Sequence, residues 1–292
     1  MIAQGALLGI LTEGYIHPGS GINTEDIDLP IQRDVHTSFP IIQGSGMKGA
    51  LRAKAEKTGG INQAEVVKVF GPGDASQGGA LTVVEARILA FPVRALSHVF
   101  VWVTCPMVLD RLMRDLAMLG LSIDGLNAGC PAKNEAKVLS DSAEFDVRLV
   151  VEELDFTVKK DLNAAFAKGF AGFIPDEPVY KGIRDKMLKH LVLVPDDDFK
   201  YLVKNATQVT ARNVLNDETK QSENLWYEES LPPDTLMYSM LLHDKTAGEG
   251  AIDIVQWAKD NLCGYLQVGG NETVGMGWCR LHMYGPHTKV AG

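Results

Sequence analysis

Gly5-Ala6-Leu7-Leu8-Gly9-Ile10-Leu11-Thr12 is a short apolar run of the kind that forms a buried strand. Outward from it, Met47 opens a helical pattern. Met47, Ala50, Leu51 and Ala55 share one face, and Lys48, Arg52 and Glu56 share another at i, i+4 spacing, with Ser45 expected as N-cap. Gly71 to Gly79 is a Gly-rich loop, and strands are expected at about 80–89 and 98–105 before a helix at about 106–119. Residues 120–150 look irregular, and helical patterns return near 157–168, 180–190 and 196–205. Strand-like runs at about 207–215 and 224–230 flank the turn Asn216-Asp217-Glu218-Thr219-Lys220-Gln221-Ser222-Glu223, giving a hairpin whose tip is too polar for a core. A strand at 235–243, a helix at 249–262 and strands at 264–268 and 277–284 complete the pattern. This β-α-β-β-α-β succession predicts an α+β, ferredoxin-like split βαβ core with insertions.

Composition bounds the function. The 292 residues are 46% hydrophobic and 22% charged, enough apolar surface for a full core and too little charge for wholesale disorder. No stretch approaches 18 uninterrupted apolar residues, so no spanning helix and no membrane partner is expected. The N-terminus lacks the pattern of a signal peptide, and Cys105, Cys130, Cys263 and Cys279 show no C-x-x-C spacing. A cytoplasmic protein without a zinc ribbon or disulfide framework is expected. The net charge of −9 argues against whole-surface attraction to nucleic acid but leaves room for a local basic groove.

Three segments carry candidate chemistry. Gly44-Ser45-Gly46-Met47-Lys48-Gly49 lacks Walker A spacing, yet free N–H groups at a helix start beside Lys48 and Arg52 make a phosphate site. A solvated basic face fits the same spacing. Gly269-Gly270-Asn271-Glu272-Thr273-Val274-Gly275-Met276-Gly277 enters a strand and is no dinucleotide fingerprint; it is either a tight hairpin connection or a loop that lets backbone approach a ligand. The long polar stretch from His17 to Asp28 holds His17, Ser20, Glu25, Asp26 and Asp28, which suit divalent-ion or acid–base chemistry, although such loops are more often simply solvated.

Together these segments resemble a known family. His17-Pro18-Gly19-Ser20-Gly21, the run from Asp28 to Pro40, Gly44 to Arg52, Val69-Phe70-Gly71-Pro72, Phe91-Pro92-Val93-Arg94, Leu225-Trp226-Tyr227-Glu228-Glu229 and Gly269 to Gly277 occur in this order. They resemble the repeat-associated mysterious protein (RAMP) superfamily, and within it the backbone-subunit family of type III-B CRISPR effectors, the Cmr complexes of antiviral defence. The resemblance is weak over about 120–192 and 244–262. It implies a single RAMP domain over 1–292, with a modified ferredoxin-like, RNA-recognition-like palm, inserted segments and a protruding β-hairpin thumb at about 207–230. Asn216, Lys220 and Trp226 would belong to that thumb.

The resemblance also implies a cytoplasmic ribonucleoprotein in which copies stack head to tail along a guide RNA, with other Cmr subunits. Each thumb displaces a nucleotide of the guide–target duplex, and the displaced target nucleotide is cut by a metal-dependent endoribonuclease, a hydrolase using Mg2+ or Mn2+. The family's catalytic aspartate falls on Asp28, with His17 and Glu228 at further active-site positions; Ser230 departs from an aromatic residue often found there. Lys48, Arg52, Arg33, Ser45, Gly46, Gly270, Gly275 and Gly277 would line the RNA groove. The chemistry is coherent, because RNA carries its own 2′-hydroxyl nucleophile and phosphate contacts position a strand without reading it. Asp28 fits either a metal ligand or a proton acceptor. A guide-binding scaffold that does not cut, and a stand-alone guide-processing RAMP endoribonuclease centred on His17, are the competing expectations.

Overall fold

The computed structural model describes residues 2–21, 27–74, 76–244 and 253–285. In chain order the first half runs β1 (Ile2–Thr12), β2 (Ile41–Ile42), α1 (Gly44–Lys57), α2 (Gln63–Phe70), β3 (Leu81–Val83), β4 (Ala86–Arg94), β5 (Phe100–Thr104), α3 (Pro106–Met118), β6 (Glu135–Leu139), β7 (Arg148–Val151) and β8 (Leu154–Leu162). The second runs α4 (Ala164–Ala171), α5 (Lys181–His190), β9 (Leu191–Leu193), α6 (Asp196–Asn205), β10 (Gln208–Leu215), β11 (Ser222–Ser230), β12 (Leu236–Asp244), α7 (Ile254–Leu262), β13 (Gly264–Gln267) and β14 (Trp278–Tyr284).

The fold is mixed α/β. The large sheet runs β13-β14-β1-β12-β4-β5-β9-β6-β8-β7, with β2 on β4 and β3 on β12. Its β14-β1-β12-β4 segment is antiparallel throughout, and the chain passes between its strands through α1 and α7, a split β-α-β connectivity. Strand β1 explains its own apolar run. A Cβ on Gly5 would meet the Leu119 side chain and one on Gly9 would stand 2.3 Å from the Phe173 carbonyl oxygen, so chain following α3 and α4 packs directly on it. A strand buried in this way has no polar alternation to show.

Helix α3 is tied to the sheet by a buried polar network. Arg87 NH1 lies 2.5 Å from Asp115 Oδ2, and the Tyr238 hydroxyl donates to the same oxygen at 2.8 Å. Pairing and hydrogen bonding offset the cost of burying that carboxylate. The strands β10 and β11 form a separate two-stranded hairpin, paired from Gln208↔Ser230 outward, that leaves the large sheet.

Several sequence expectations need correction. The helix at 157–168 is a strand and a helix joined end to end. Strand β8 runs to Leu162, and Asn163 caps α4 by accepting the Phe166 N–H at 3.0 Å. The irregular 120–150 region contains β6 and β7, which are set by pairing with β8 rather than by local pattern. Helix α1 begins at Gly44 with Gln43 at its N-cap, so Ser45 lies in the first turn and does not cap it. Helix α2 and strands β2 and β9 have no counterpart in the local sequence pattern. Of the helix expected at 249–262, residues 249–252 lie outside the described residues, as do Glu25 and Asp26 of the acidic stretch. Among the described residues no helix is long and apolar enough to cross a membrane.

At the end of α5, His190 packs edge-on to His98, ring centroids 4.8 Å apart, and against Phe145. Neither of its ring nitrogens has a hydrogen-bond partner, and the Glu144 carboxylate, 3.9 Å from Nε2, is too far to supply one. Burial first, then His98 and Lys186, hold the His190 pKa below its ordinary value despite Glu144. The unfolded chain therefore takes up this proton more readily. Stability is full above the ordinary imidazole pKa of ~6.5 and falls as pH drops below it toward the folded value. Denaturant unfolding at pH 7.5 and pH 5.5 is expected to show a smaller acid-induced loss in His190→Phe than in the parent; an equal loss in both would count against this origin.

Candidate functional site: the hairpin base

Where the hairpin leaves the sheet, four segments meet: the end of β11, residues 15–19, residues 28–33 and the Gly-rich loop 269–277. Alternation along β11 puts Tyr227 and Glu229 on one face and Glu228 and Ser230 on the other. Residues 28–31 lie alongside β11. Leu29 bridges Glu228 in parallel, its N–H donates to the Tyr227 carbonyl at 3.0 Å, and the Glu229 N–H donates to the Leu29 carbonyl at 3.0 Å. Asp28 is exposed, and its Oδ2 accepts the Tyr227 N–H at 2.8 Å. The carboxylate is thereby fixed to the hairpin strand.

His17 is buried against the same strand. Its Nδ1–H donates to the Glu229 carbonyl at 2.6 Å, and since a carbonyl can only accept, the neutral ring keeps its lone pair on Nε2. Gly269 closes over it: φ is +87°, and a Cβ there would stand 2.4 Å from the His17 carbonyl oxygen, which also accepts the Gly270 N–H at 3.1 Å. This close approach requires glycine. Gly275 and Gly277 also have positive φ, and the Gly277 N–H donates to the Tyr15 carbonyl at 2.8 Å.

Glu228 is buried and closes the hairpin onto the Gly-rich loop. Its Oε1 accepts from Asn271 Nδ2, and its Oε2 pairs with Arg212 Nε at 3.3 Å. Glu229 is equally buried. Its Oε2 accepts the Ile31 N–H at 3.0 Å, and its Oε1 accepts from Arg33 NH2 at 2.5 Å and from the Thr207 hydroxyl at 2.8 Å. Arg33 also donates to the Ser38 and Val203 carbonyls, so its guanidinium sits inside the protein's own network, unlike a cation left open for phosphate.

Gln32 connects this cluster to α1. Its side chain donates to the Gly19 carbonyl at 2.9 Å and accepts the Gln43 N–H at 2.7 Å. Ser45 and Gly46 are exposed in the first turn of α1, which holds no acidic residue. Partial burial and the neighbouring Arg52 both lower the Lys48 pKa, which places the two cations together; Arg52 Nε pairs with Glu56 at 2.8 Å. On the hairpin, Asn216 builds the tip by accepting the Glu218 and Thr219 N–H groups, Lys220 takes φ +55°, and half-buried Trp226 lies opposite Arg212.

The structure thus brings Asp28, His17 and Glu228 to one place and leaves Lys48 and Arg52 on the adjoining helix. Sequence reasoning missed Glu229, Asn271 and Arg212. The usable signal was Glu228-Glu229, adjacent carboxylates at the inner end of a strand, one of which must face each side and find a partner. It also missed the hairpin's exposed apolar surface, which includes Leu215, Leu225 and Tyr227. Among the described residues no group of three or more His, Cys, Asp or Glu side chains is arranged to hold a metal.

Comparison with known proteins places the whole chain. The RAMP superfamily model matches residues 10–280. CRISPR system Cmr endoribonuclease Cmr4 of Pyrococcus furiosus is 35% identical over 281 residues, covering 94% of each chain. The crystal structure of oligomeric Cmr4 from Pyrococcus furiosus superposes with a TM-score of 0.76 at 29% identity, over 98% of this chain and 100% of that one. A chain of the type III-B Cmr-beta complex bound to cognate target RNA has the same fold, with a TM-score of 0.76 at 21% identity over 97% of this chain and 98% of that one. With nearly the whole length in common, the chain belongs to the RAMP superfamily and, within it, to the Cmr4 family.

Proposed function

We propose that this protein is a repeated backbone subunit of a type III-B CRISPR effector, a cytoplasmic ribonucleoprotein, and that it cuts target RNA paired to the guide. The observation that carries the proposal is Asp28, an exposed carboxylate anchored to the base of a projecting hairpin beside His17. The large sheet with α1 and α7 is the palm and the β10–β11 hairpin the thumb. The thumb's exposed apolar side chains suit insertion at a displaced nucleotide, where base stacking is broken. Swinging that nucleotide out brings its 2′-oxygen in line with the adjacent phosphorus, a contribution of orientation that can be large.

His17 Nε2, the nitrogen left with a lone pair, is the group suited to take the 2′-hydroxyl proton as the 2′-oxygen attacks phosphorus; the P–O5′ bond then breaks, leaving a 2′,3′-cyclic phosphate and a 5′-oxygen that takes its proton from solvent. Glu228, enclosed by Asn271 and Arg212, positions the Gly-rich loop. The donor set suits Mg2+ or Mn2+ only in a shared way, since Asp28 offers one carboxylate and Mg2+ is commonly held by one or two carboxylates together with substrate phosphates and water. A cation bound there would neutralise charge developing on the phosphate.

Lys48 and Arg52, with the free N–H groups of the first turn of α1, hold guide phosphates and leave sequence reading to base pairing. Guide anchoring and neighbouring subunits remove the need for a basic surface, consistent with the net charge of −9. Copies along a linear guide use a heterologous, non-closing head-to-tail interface.

In a reconstituted complex with Mg2+ or Mn2+, Asp28→Ala is expected to lower target cleavage by about 100-fold or more while guide and target binding persist. Cleavage that survives in a fully mutant backbone would turn the reading into one of a passive scaffold, and cleavage that survives EDTA would favour a metal-free histidine mechanism. Replacing Lys48 and Arg52 together by Ala is expected to weaken guide binding equally across spacer sequences and to flatten its salt dependence by roughly one log–log unit per lost contact at most. A loss restricted to particular spacers would contradict phosphate contact.

A further inference from the structure

We propose that Glu229 is a positioning residue that sets where Asp28 stands, so that the hairpin and the Asp28 carboxylate move as one unit; the proposal rests on the reading of Asp28 as catalytic. Every polar atom of Glu229 is engaged. Its N–H holds Leu29, its carbonyl holds His17, and its carboxylate holds Ile31, Arg33 and Thr207. Three of these partners lie in the 29–33 segment that follows Asp28 directly.

The geometry distinguishes Glu229 from its neighbour. Glu228 faces the Gly-rich loop, whereas Glu229 faces the segment carrying Asp28. No atom of the Glu229 carboxylate is left to touch RNA, so any effect on cleavage must pass through the groups it holds. Pro30 restricts Leu29 to extended backbone but cannot choose the strand that Leu29 pairs with. The carboxylate makes that choice, because the Ile31 N–H and the Arg33 guanidinium meet on it from the same segment. A charged acceptor serving several donors in a buried site is a strong and directional anchor. Asp28 itself is attached to β11 through the Tyr227 N–H, two residues away. A shift of the hairpin along the duplex therefore carries Asp28 with it, and a loosened clasp lets the two separate.

The test uses the assembled complex with guide, comparing Glu229→Gln, Thr207→Val and Asp28→Ala. Assembly, target affinity and single-turnover cleavage at saturating target are measured on the same preparations, with Mn2+ varied. Glutamine keeps the shape but loses the charge and one acceptor. Glu229→Gln is expected to cut on the order of tenfold or more slowly per assembled complex, since misplacement of about 1 Å can cost 100-fold. Target affinity should stay within about twofold, because the residue touches no RNA.

A merely structural role would instead reduce the amount of complex and leave the rate per complex unchanged, and that result overturns the proposal. If Glu229→Gln does not assemble, Thr207→Val decides, since it removes one donor and leaves the Arg33 pair. A rate a few fold lower with normal assembly supports positioning, and the parent rate overturns it. Asp28→Ala separates the two readings. If it cuts normally, the catalytic reading of Asp28 fails and this proposal with it. If it is inactive while Glu229→Gln cuts at the parent rate, only the role of Glu229 fails.

Discussion

The candidate site depends on one buried carboxylate meeting one guanidinium, Glu229 with Arg33 at 2.5 Å. The carboxylate in particular is not tolerable alone there, because an unpaired buried ion costs several kcal/mol. The pair is completed by the Ile31 N–H and Thr207 on the carboxylate and by the Ser38 and Val203 carbonyls on the guanidinium. One local requirement, charge neutralisation with all donors matched, therefore brings together the 31–38 turn, the end of α6, the start of β10 and the end of β11. Removing Arg33 would leave the buried Glu229 carboxylate without its counter-charge.

From that clasp outward the arrangement is hierarchical. The 28–31 segment lies along the hairpin through the single parallel bridge of Leu29 to Glu228, and Asp28 is held to the same strand by the Tyr227 N–H. On the opposite face of β11, Glu228 gathers Asn271 and Arg212, so the Gly-rich loop is drawn over His17. Glycine at position 269 is what permits that closure. Gln32 then links the same segment to the N-cap of α1, the helix that carries Lys48 and Arg52. The 28–33 segment, the hairpin and α1 are consequently coupled through the side chains of Glu229, Arg33 and Gln32.

The two ends of the molecule are stabilised differently. The sheet around β1 is held by apolar burial on strands covered by helices and loops, where side-chain volume decides what fits. The hairpin has two strands and no core of its own, a construction that is marginal in isolation. It persists as an outgrowth because its inner end is locked by the two glutamates. Its outer residues, Leu215, Leu225 and Tyr227 among them, remain exposed.

Much was legible from local pattern. The apolar run at 5–12, the amphipathic face of α1, the polar tip of the hairpin and the glycines of 269–277 each state a requirement that any fold must meet, and the ordered motifs identified the family. What local pattern could not supply was pairing. Strands β6 and β9 are short and take their conformation from partners distant in sequence, and the boundary inside 157–168 is drawn by the pairing of β8 and the cap at Asn163. The same holds at the site. Residue types alone marked the His17–Asp28 stretch, because carboxylates and imidazole are the groups that can do this chemistry, and it was the resemblance to the family that singled out Asp28, His17 and Glu228. The chain alone could not say that Arg33 faces inward, nor that Glu229 bridges it to residues 31 and 207, because hydrogen-bond partners some 200 positions apart in sequence are chosen only when the chain is packed and water is gone.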